Sequence, residues 1–401
     1  MSFDSFELDP RCLKVLSGKD ITSPTPVQKE AIPIALTGTD LVAVAQTGTG
    51  KTLGFSLPSL TRLVNTASKN NRMLVMVPTR ELCVQVFEVI QELSKALHLK
   101  AVQVYGGVGF DQQARKLQDG VDIIVATPGR LIDHMQRKNI SFKFLEVLVL
   151  DEADRMLDMG FIEDIEWVMR KLPKDRQTLM FSATFPDSIA RLAERMMRDP
   201  QRITIGAISK PVDKVRQKLF PVKPEHKNKL LLDILEEDPP TSALIFLRTK
   251  ERTERLTHIL QKKGYNITQI HGDRSQRQRQ QALDGFKKGK FKLLAATDVA
   301  SRGLDIDSVS HVFNFDIPEN PDDYIHRIGR TARAESDGDA ITFVTPMEFQ
   351  ALGAIETALG ENIPRDERED APRVLMLFKG ASSNGKSASR RKGIRRGTRR
   401  R

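Results

Sequence analysis

Residues Ala45 to Thr52 read AQTGTGKT and follow directly on the apolar run Leu41–Val44. A short apolar run that ends in two glycines and then Lys-Thr is a buried strand turning into a helix. Strands joined through helices belong to a parallel sheet, so this one segment already commits the chain to an α/β architecture. The residue types also have a chemistry. Gly48 and Gly50 let the backbone curl so that its N–H groups point at phosphate oxygens. Lys51 can reach the β- and γ-phosphates, and the Thr52 hydroxyl can ligand Mg²⁺. Ala45 stands where such loops usually have their first glycine, and Gln46, Thr47 and Thr49 complete the cradle. Further along, the apolar run Val147–Leu150 ends in two carboxylates, Asp151 and Glu152. Asp151 is suited to hold the metal, directly or through water, and Glu152 to orient and deprotonate an attacking water. A phosphate loop followed by an acidic strand end points to hydrolysis of a nucleoside triphosphate with Mg²⁺ as the expected metal.

The pattern that surrounds these segments is repeated twice. Strand-like runs occur at 41–45, 73–77, 101–105, 123–126, 147–150 and 178–181, separated by longer amphipathic stretches. A second series follows at 243–247, 267–270, 292–295, 311–315 and 340–344. Two doubly wound parallel-sheet domains are expected, at 1–206 and 213–360, with a linker at 207–212 where Gly-Ala-Ile-Ser-Lys-Pro breaks the pattern. At 401 residues the chain is long enough for two cores of ordinary size. It holds two cysteines, Cys12 and Cys83, which is no basis for a disulfide framework or a metal site. The start lacks a basic-then-apolar signal sequence and no stretch is long and apolar enough to span a bilayer, so a cytoplasmic protein without a membrane partner is expected.

The net charge of +11 is concentrated in one place. Ten Lys or Arg residues and no acid lie between Lys379 and Arg401, leaving 53 basic against 52 acidic residues elsewhere. Residues 361–401 are charged or rich in Gly and Ser, and are expected to form a disordered basic tail.

Read in order, the chain also carries Pro24-Thr-Pro-Val-Gln28, Pro78-Thr-Arg-Glu-Leu82, Gly106-Gly107, Thr127-Pro-Gly-Arg130, Asp151-Glu-Ala-Asp154 and Ser182-Ala-Thr184. His271-Gly272, Ala296-Thr-Asp-Val-Ala-Ser-Arg-Gly-Leu-Asp305 and His326-Arg-Ile-Gly-Arg-Thr-Ala-Arg333 follow. Over residues 1 to about 360 this resembles a DEAD-box ATP-dependent RNA helicase of superfamily 2. The short lead and basic tail are most similar to the bacterial RhlE-type subgroup.

The resemblance implies two RecA-like domains, ATP as the triphosphate and a role for each motif. Gln28 would read the adenine edge, with Phe3 at the upstream aromatic position beside the base. The chain departs from the family at Asp20 and Ile21, where glycine and an aromatic are usual, which bears on adenine affinity. Arg330 and Arg333 match the arginine fingers presented by the second domain, and Ala332 replaces a common glycine between them. Asp305 would take the ribose hydroxyls, and Arg302 and His326 would surround the attacking water. Thr79, Arg80, Gly107, Thr127 and Arg130 would line an RNA-backbone groove in the first domain, and Gly272, Gln276, Arg279 and Thr297 one in the second. Amides, small hydroxyls and arginines read phosphate and sugar, so binding should be independent of sequence and sensitive to the 2′-hydroxyl. Ser182 and Thr184 would couple the two ligands. The implied activity is local separation of short RNA duplexes, with partners among ribosome-assembly or RNA-decay proteins. An ATP-gated RNA clamp or scaffold uses the same motifs.

Overall fold

The computed structural model describes residues 2–46, 48–66, 70–205, 215–298, 306, 309–331 and 338–366. The chain divides into two compact domains, the first formed by the described residues up to 205 and the second by those from 215 onward.

The first domain runs α1 (Pro10–Ser17), α2 (Pro26–Leu36), β1 (Leu41–Val44), α3 (Lys51–Val64), β2 (Met73–Met76), α4 (Arg80–Ala96), β3 (Ala101–Val104) and α5 (Phe110–Gln118). It continues with β4 (Ile123–Ala126), α6 (Pro128–Gln136), β5 (Val147–Asp151), α7 (Ala153–Asp158), α8 (Ile162–Met169), β6 (Gln177–Ser182), α9 (Asp187–Met196) and β7 (Gln201–Thr204). Its strands form one parallel sheet in the order β3-β4-β2-β5-β6-β1-β7. The central strands are buried on both sides because alternate residues serve alternate faces. Leu41, Ala43, Val75, Val149 and Phe181 pack with α1–α4, while Val42, Val44, Met76, Leu150 and Met180 pack with α6–α9. Both cysteines fall in the first of these layers. Their thiols are buried, which pushes Cys12 up to about 12 and Cys83 higher still.

The second domain holds β8 (Val215–Pro221), α10 (Lys227–Glu237), β9 (Ala243–Leu247), α11 (Lys250–Lys262), β10 (Ile267–Ile270), α12 (Gln276–Lys287), β11 (Leu293–Thr297), β12 (His311–Asn314), α13 (Pro321–Ile328), β13 (Gly338–Val344) and α14 (Phe349–Leu359). These strands form a parallel sheet in the order β10-β11-β9-β12-β13-β8. Every strand-like run expected from the sequence lies on a strand. The edge strand β7 and the edge strand β8, which flank the break in the pattern, complete the two sheets. The linker at 207–212 and the basic tail lie outside the described residues, apart from 361–366.

Parallel strands place all their carboxyl ends on one rim of each sheet, and that rim is where open α/β sheets bind ligands. In the first domain the residues after β1, β2, β3, β4, β5 and β6 are the phosphate loop, Thr79, Gly106, Thr127, Glu152 and Ala183 in turn. The second domain repeats this with His271 after β10, Thr297 at the end of β11 and Asp316 just beyond β12.

Candidate active site and nucleic-acid interface

The phosphate loop of the first domain is built as the sequence requires. Gly48 and Gly50 adopt φ of +78° and +88°, the left-handed region open to glycine at little cost, and Gly50 caps α3. Lys51 opens that helix, is buried, and donates from Nζ to the Ala45 carbonyl at 3.1 Å. Thr49 Oγ1 closes the loop by donating to Gln46 O at 2.7 Å. Thr52 lies in the first turn of α3, where the exposed N–H groups of a helix start favour an anion. Thr47 lies outside the described residues.

Gln28 sits against this loop. Its Nε2 donates to Gly50 O at 2.9 Å, and its Oε1 accepts from the Thr25 N–H at 3.0 Å as part of the cap of α2. The amide is thereby tied to the loop that would hold the phosphates. Phe3 is only 3 % exposed and meets Phe6 edge-on, within the core layer rather than on its surface. Asp20 has φ of +57°, in the left-handed region that glycine adopts at least cost. Ile21 packs against the same core layer.

The carboxylates at the end of β5 are held differently from one another. Asp151 is 3 % exposed and accepts from the Glu152 N–H at 3.0 Å. Burial, opposed by Lys51 and reinforced by the Glu152 charge, pushes its carboxyl up to about 6. A buried carboxylate in that condition gains from a hard cation, and together with the Thr52 hydroxyl it offers the oxygen donors Mg²⁺ prefers. Glu152 is in the left-handed region at φ +54° and pairs with Arg155 at 2.8 Å, Oε2 to Nη1. Asp154 reaches the next strand. Its Oδ2 accepts from the Ala183 N–H at 3.1 Å, the Thr184 N–H at 2.7 Å and Thr184 Oγ1 at 2.9 Å, and its own N–H donates to Ser182 Oγ at 3.2 Å. Four hydrogen bonds thus join Asp154, in the first turn of α7, to Ser182, Ala183 and Thr184 at the end of the next strand. The DEAD string was visible in the sequence, but the contacts made by its last residue, Asp154, and by Arg155 just after it were not.

On the same rim, Thr79 caps α4 by accepting from the Leu82 N–H at 3.2 Å. The Arg80 guanidinium occupies the space that a side chain at Gly106 or Gly107 would take, and Gly107 has φ +86°. That close approach is a physical reason for paired glycines there. Thr127 stands at the cap position of α6. Arg130, one turn in, donates from Nη1 to Val108 O at 3.1 Å and so joins α6 to the double-glycine turn.

In the second domain Gln276 opens α12, Arg279 lies one turn later, and both are largely buried. Thr297 ends β11, and space beside Gly272 is open. His326 lies in the last turn of α13 and Arg330 just beyond it, 9 % exposed. Arg302, Asp305 and Arg333 lie outside the described residues. Between His326 and Arg330, Arg327 makes contacts that its place in the motif did not announce. It grips Asp298 through two hydrogen bonds of 2.7 and 2.6 Å, reaches Asn314 Oδ1 at 3.0 Å and Asp316 O at 2.7 Å, and lies over the Phe246 ring. Asp298 is the neighbour of Thr297, so one guanidinium ties the end of β11 to the helix that carries His326. No group of three or more His, Cys, Asp or Glu residues suited to a metal ion occurs among the described residues.

Residues 25–192 match the DEAD/DEAH box helicase family, and residues 226–335 match the helicase conserved C-terminal domain. The ATP-dependent RNA helicase CshA of Listeria monocytogenes is 44 % identical over 354 residues, which cover 88 % of this chain and 68 % of that protein. The DEAD-box ATP-dependent RNA helicase CshA of Bacillus subtilis is 42 % identical over 365 residues, 91 % of this chain and 74 % of that one. These relatives carry the CshA name and give the expected RhlE-type placement no support. Among solved structures, S. cerevisiae Dbp5 bound to RNA and ADP BeF3 superposes with a TM-score of 0.82 at 32 % identity, covering 94 % of this chain and 99 % of that one.

Proposed function

The chain belongs to the DEAD-box family of ATP-dependent RNA helicases, and from that premise we propose how its own residues divide the work. It is an RNA-dependent ATPase of two RecA-like domains. Lys51 and the amides around Gly48 and Gly50 bind the phosphates. Gln28 reads the adenine edge while bracing the same loop. Thr52 and Asp151 hold Mg²⁺, which would neutralise charge on the β- and γ-phosphates. Glu152 orients and deprotonates the attacking water. Arg330 and Arg333 supply charge to the transferring phosphoryl group when ATP and RNA draw the domains closed, with Arg302 and His326 around the water and Asp305 on the ribose.

RNA is held by backbone contacts, from Thr79, Arg80, Gly107, Thr127 and Arg130 on one domain and Gly272, Gln276, Arg279 and Thr297 on the other. Closing on one strand bends it and separates a short duplex, and hydrolysis releases it. The observation that carries this coupling is the set of hydrogen bonds from Asp154 to Ser182, Ala183 and Thr184. It links the carboxylates of the hydrolytic site to the next strand end without an intervening loop. The limits of the working parts are taken as 1–206, 207–212, 213–360 and 361–401. The need for ATP and RNA argues for the cytoplasm, with protein partners in ribosome assembly or RNA decay, where strands of any sequence must be parted.

A multiple-turnover strand-separation assay tests the reading. With a short RNA duplex, ATP and excess substrate, product should exceed enzyme many-fold, and a non-hydrolysable analogue should support at most one round. ATP hydrolysis without turnover of strands would instead indicate a timed clamp.

A further inference from the structure

The RNA-contacting residues proposed above read backbone, and none of them is aromatic. Beside them, outside every motif, the first domain carries a backed aromatic ring. Phe110 opens α5, and the His134 imidazole is stacked on its ring with centroids 4.1 Å apart and planes within 9°. The Arg137 guanidinium also lies over the ring, 4.3 Å from its centroid. Two flat groups this close to one centroid cannot share a face, so the histidine takes one side and the arginine the other.

The two plates differ in character. His134 is fully buried and fixed. Gln113 Nε2 donates to Tyr105 O at 2.9 Å, which turns its Oε1 toward His134 Nε2 at 3.2 Å, while Asn139 Nδ2 donates to Nδ1 at 3.2 Å. Burial and the neighbouring Arg130 charge push the imidazole down to about 4, so a neutral ring backs the phenylalanine. Arg137 by contrast is exposed, at the C-cap of α6, and has no ion-pair partner among the described residues. A guanidinium laid over a backed aromatic ring has one face left for solvent or for another flat group. The plate also stands next to the backbone readers. Arg130 lies 5.5 Å from the same ring and is bonded to Val108 O, next to the turn on which Arg80 packs.

We propose that Arg137, laid on Phe110, is a stacking seat for one unpaired nucleobase of the RNA strand held at Arg80, Gly107 and Arg130. The seat rests on the reading of the first domain as an RNA-backbone binder. A strand that is bent loses base-on-base stacking, and a guanidinium plane is a partner that any base accepts. It therefore adds grip without adding sequence preference. The positive charge that keeps Arg137 solvated when the seat is empty also attracts the strand.

The full-length protein and single-stranded RNA carrying 2-aminopurine at successive positions provide the test. Arg137→Lys keeps the charge and loses the plane, and Phe110→Leu keeps apolar bulk and loses the plate beneath. Both should weaken RNA binding by roughly five- to twentyfold, the scale of one stacked base. Both should abolish the 2-aminopurine response at one and the same position while leaving the salt dependence of binding unchanged. An abasic site at that position should cost wild-type protein as much, and Arg137→Lys nothing further. If Arg137→Lys binds like wild type while Arg137→Ala binds more weakly with a shallower salt slope, the residue is a phosphate contact and the seat is wrong. If no variant affects RNA, the plate serves the fold or a protein partner and the seat is again wrong. Failure of the wild-type protein to bind RNA would overturn the underlying functional reading, which this set separates from failure of the seat.

Discussion

Glu152 is held in a backbone conformation that side chains other than glycine rarely adopt, and its carboxylate is pinned by Arg155 at 2.8 Å. Strain of that kind persists only where the surroundings over-determine it, and here the neighbours Asp151 and Asp154 are each hydrogen-bonded on either side. Glu152→Gln should therefore keep the fold and ATP binding, since the amide fits the same space. Hydrolysis should fall by about 10² or more for want of a base, and an RNA-bound, ATP-loaded complex should accumulate. Phosphate release and native-gel retention of labelled RNA measure the two effects. In the proposed mechanism Arg330 acts on the same chemistry from the other domain. Arg330→Ala should lower RNA-stimulated hydrolysis by on the order of 10³ or more. ATP binding by a fragment of residues 1–206 should be unaffected, because Arg330 is not in it. That fragment alone, assayed for hydrolysis, should show none of the RNA-stimulated rate.

Elements are held at the rim of the second sheet by a buried ionic cluster. Lys227, at the start of α10, donates from Nζ to Phe315 O at 2.8 Å and pairs with Asp316 at 3.1 Å and Glu348 at 3.4 Å. Both Lys227 and Asp316 are at most 1 % exposed. Removing the lysine leaves Asp316 with Arg252 at 3.0 Å and Glu348 with Arg248 at 3.3 Å but strips the Phe315 carbonyl of its donor, so Lys227→Ala should cost about 1–3 kcal/mol, read by urea unfolding of the second domain. Nothing in the sequence announced this cluster, because its members are scattered along the chain and each alone resembles a surface charge. The strands were legible for the opposite reason. Leu41–Val44 or Val147–Leu150 are short apolar runs bounded by turn residues, a local signal that survives into the fold. Edge strand β7 was harder to see because Gln201, Arg202 and Thr204 are exposed and only Ile203 is buried. The site divides along the same line. Lys51, Asp151 and Glu152 were legible from contiguous motifs. The stack of Phe110, His134 and Arg137 was not, since its members come from two helices and match no motif. Gln28 was legible as a candidate site residue, whereas its bond to Gly50 depends on a loop met only in three dimensions.

For the whole molecule, charge and chemistry are separated along the chain. Residues 1–378 are almost neutral, and the surplus of basic residues falls between Lys379 and Arg401. Deleting residues 379–401 should weaken RNA binding, make its salt dependence shallower and raise the RNA concentration for half-maximal ATPase, with little change in the maximal rate. Filter binding across a salt series, beside steady-state ATPase, checks each part. The two thiols have a consequence of another sort. Cys12 and Cys83 lie in one core layer, both fully buried and both with ionisation suppressed by burial. The native protein should therefore ignore maleimides and disulfide reagents, which ought to titrate two thiols only after denaturation. A single cysteine introduced on each domain would then be the sole point of attachment there. The protein comes ready for paired dyes, and the proposed closure can be tested by energy transfer without first stripping residues from its core.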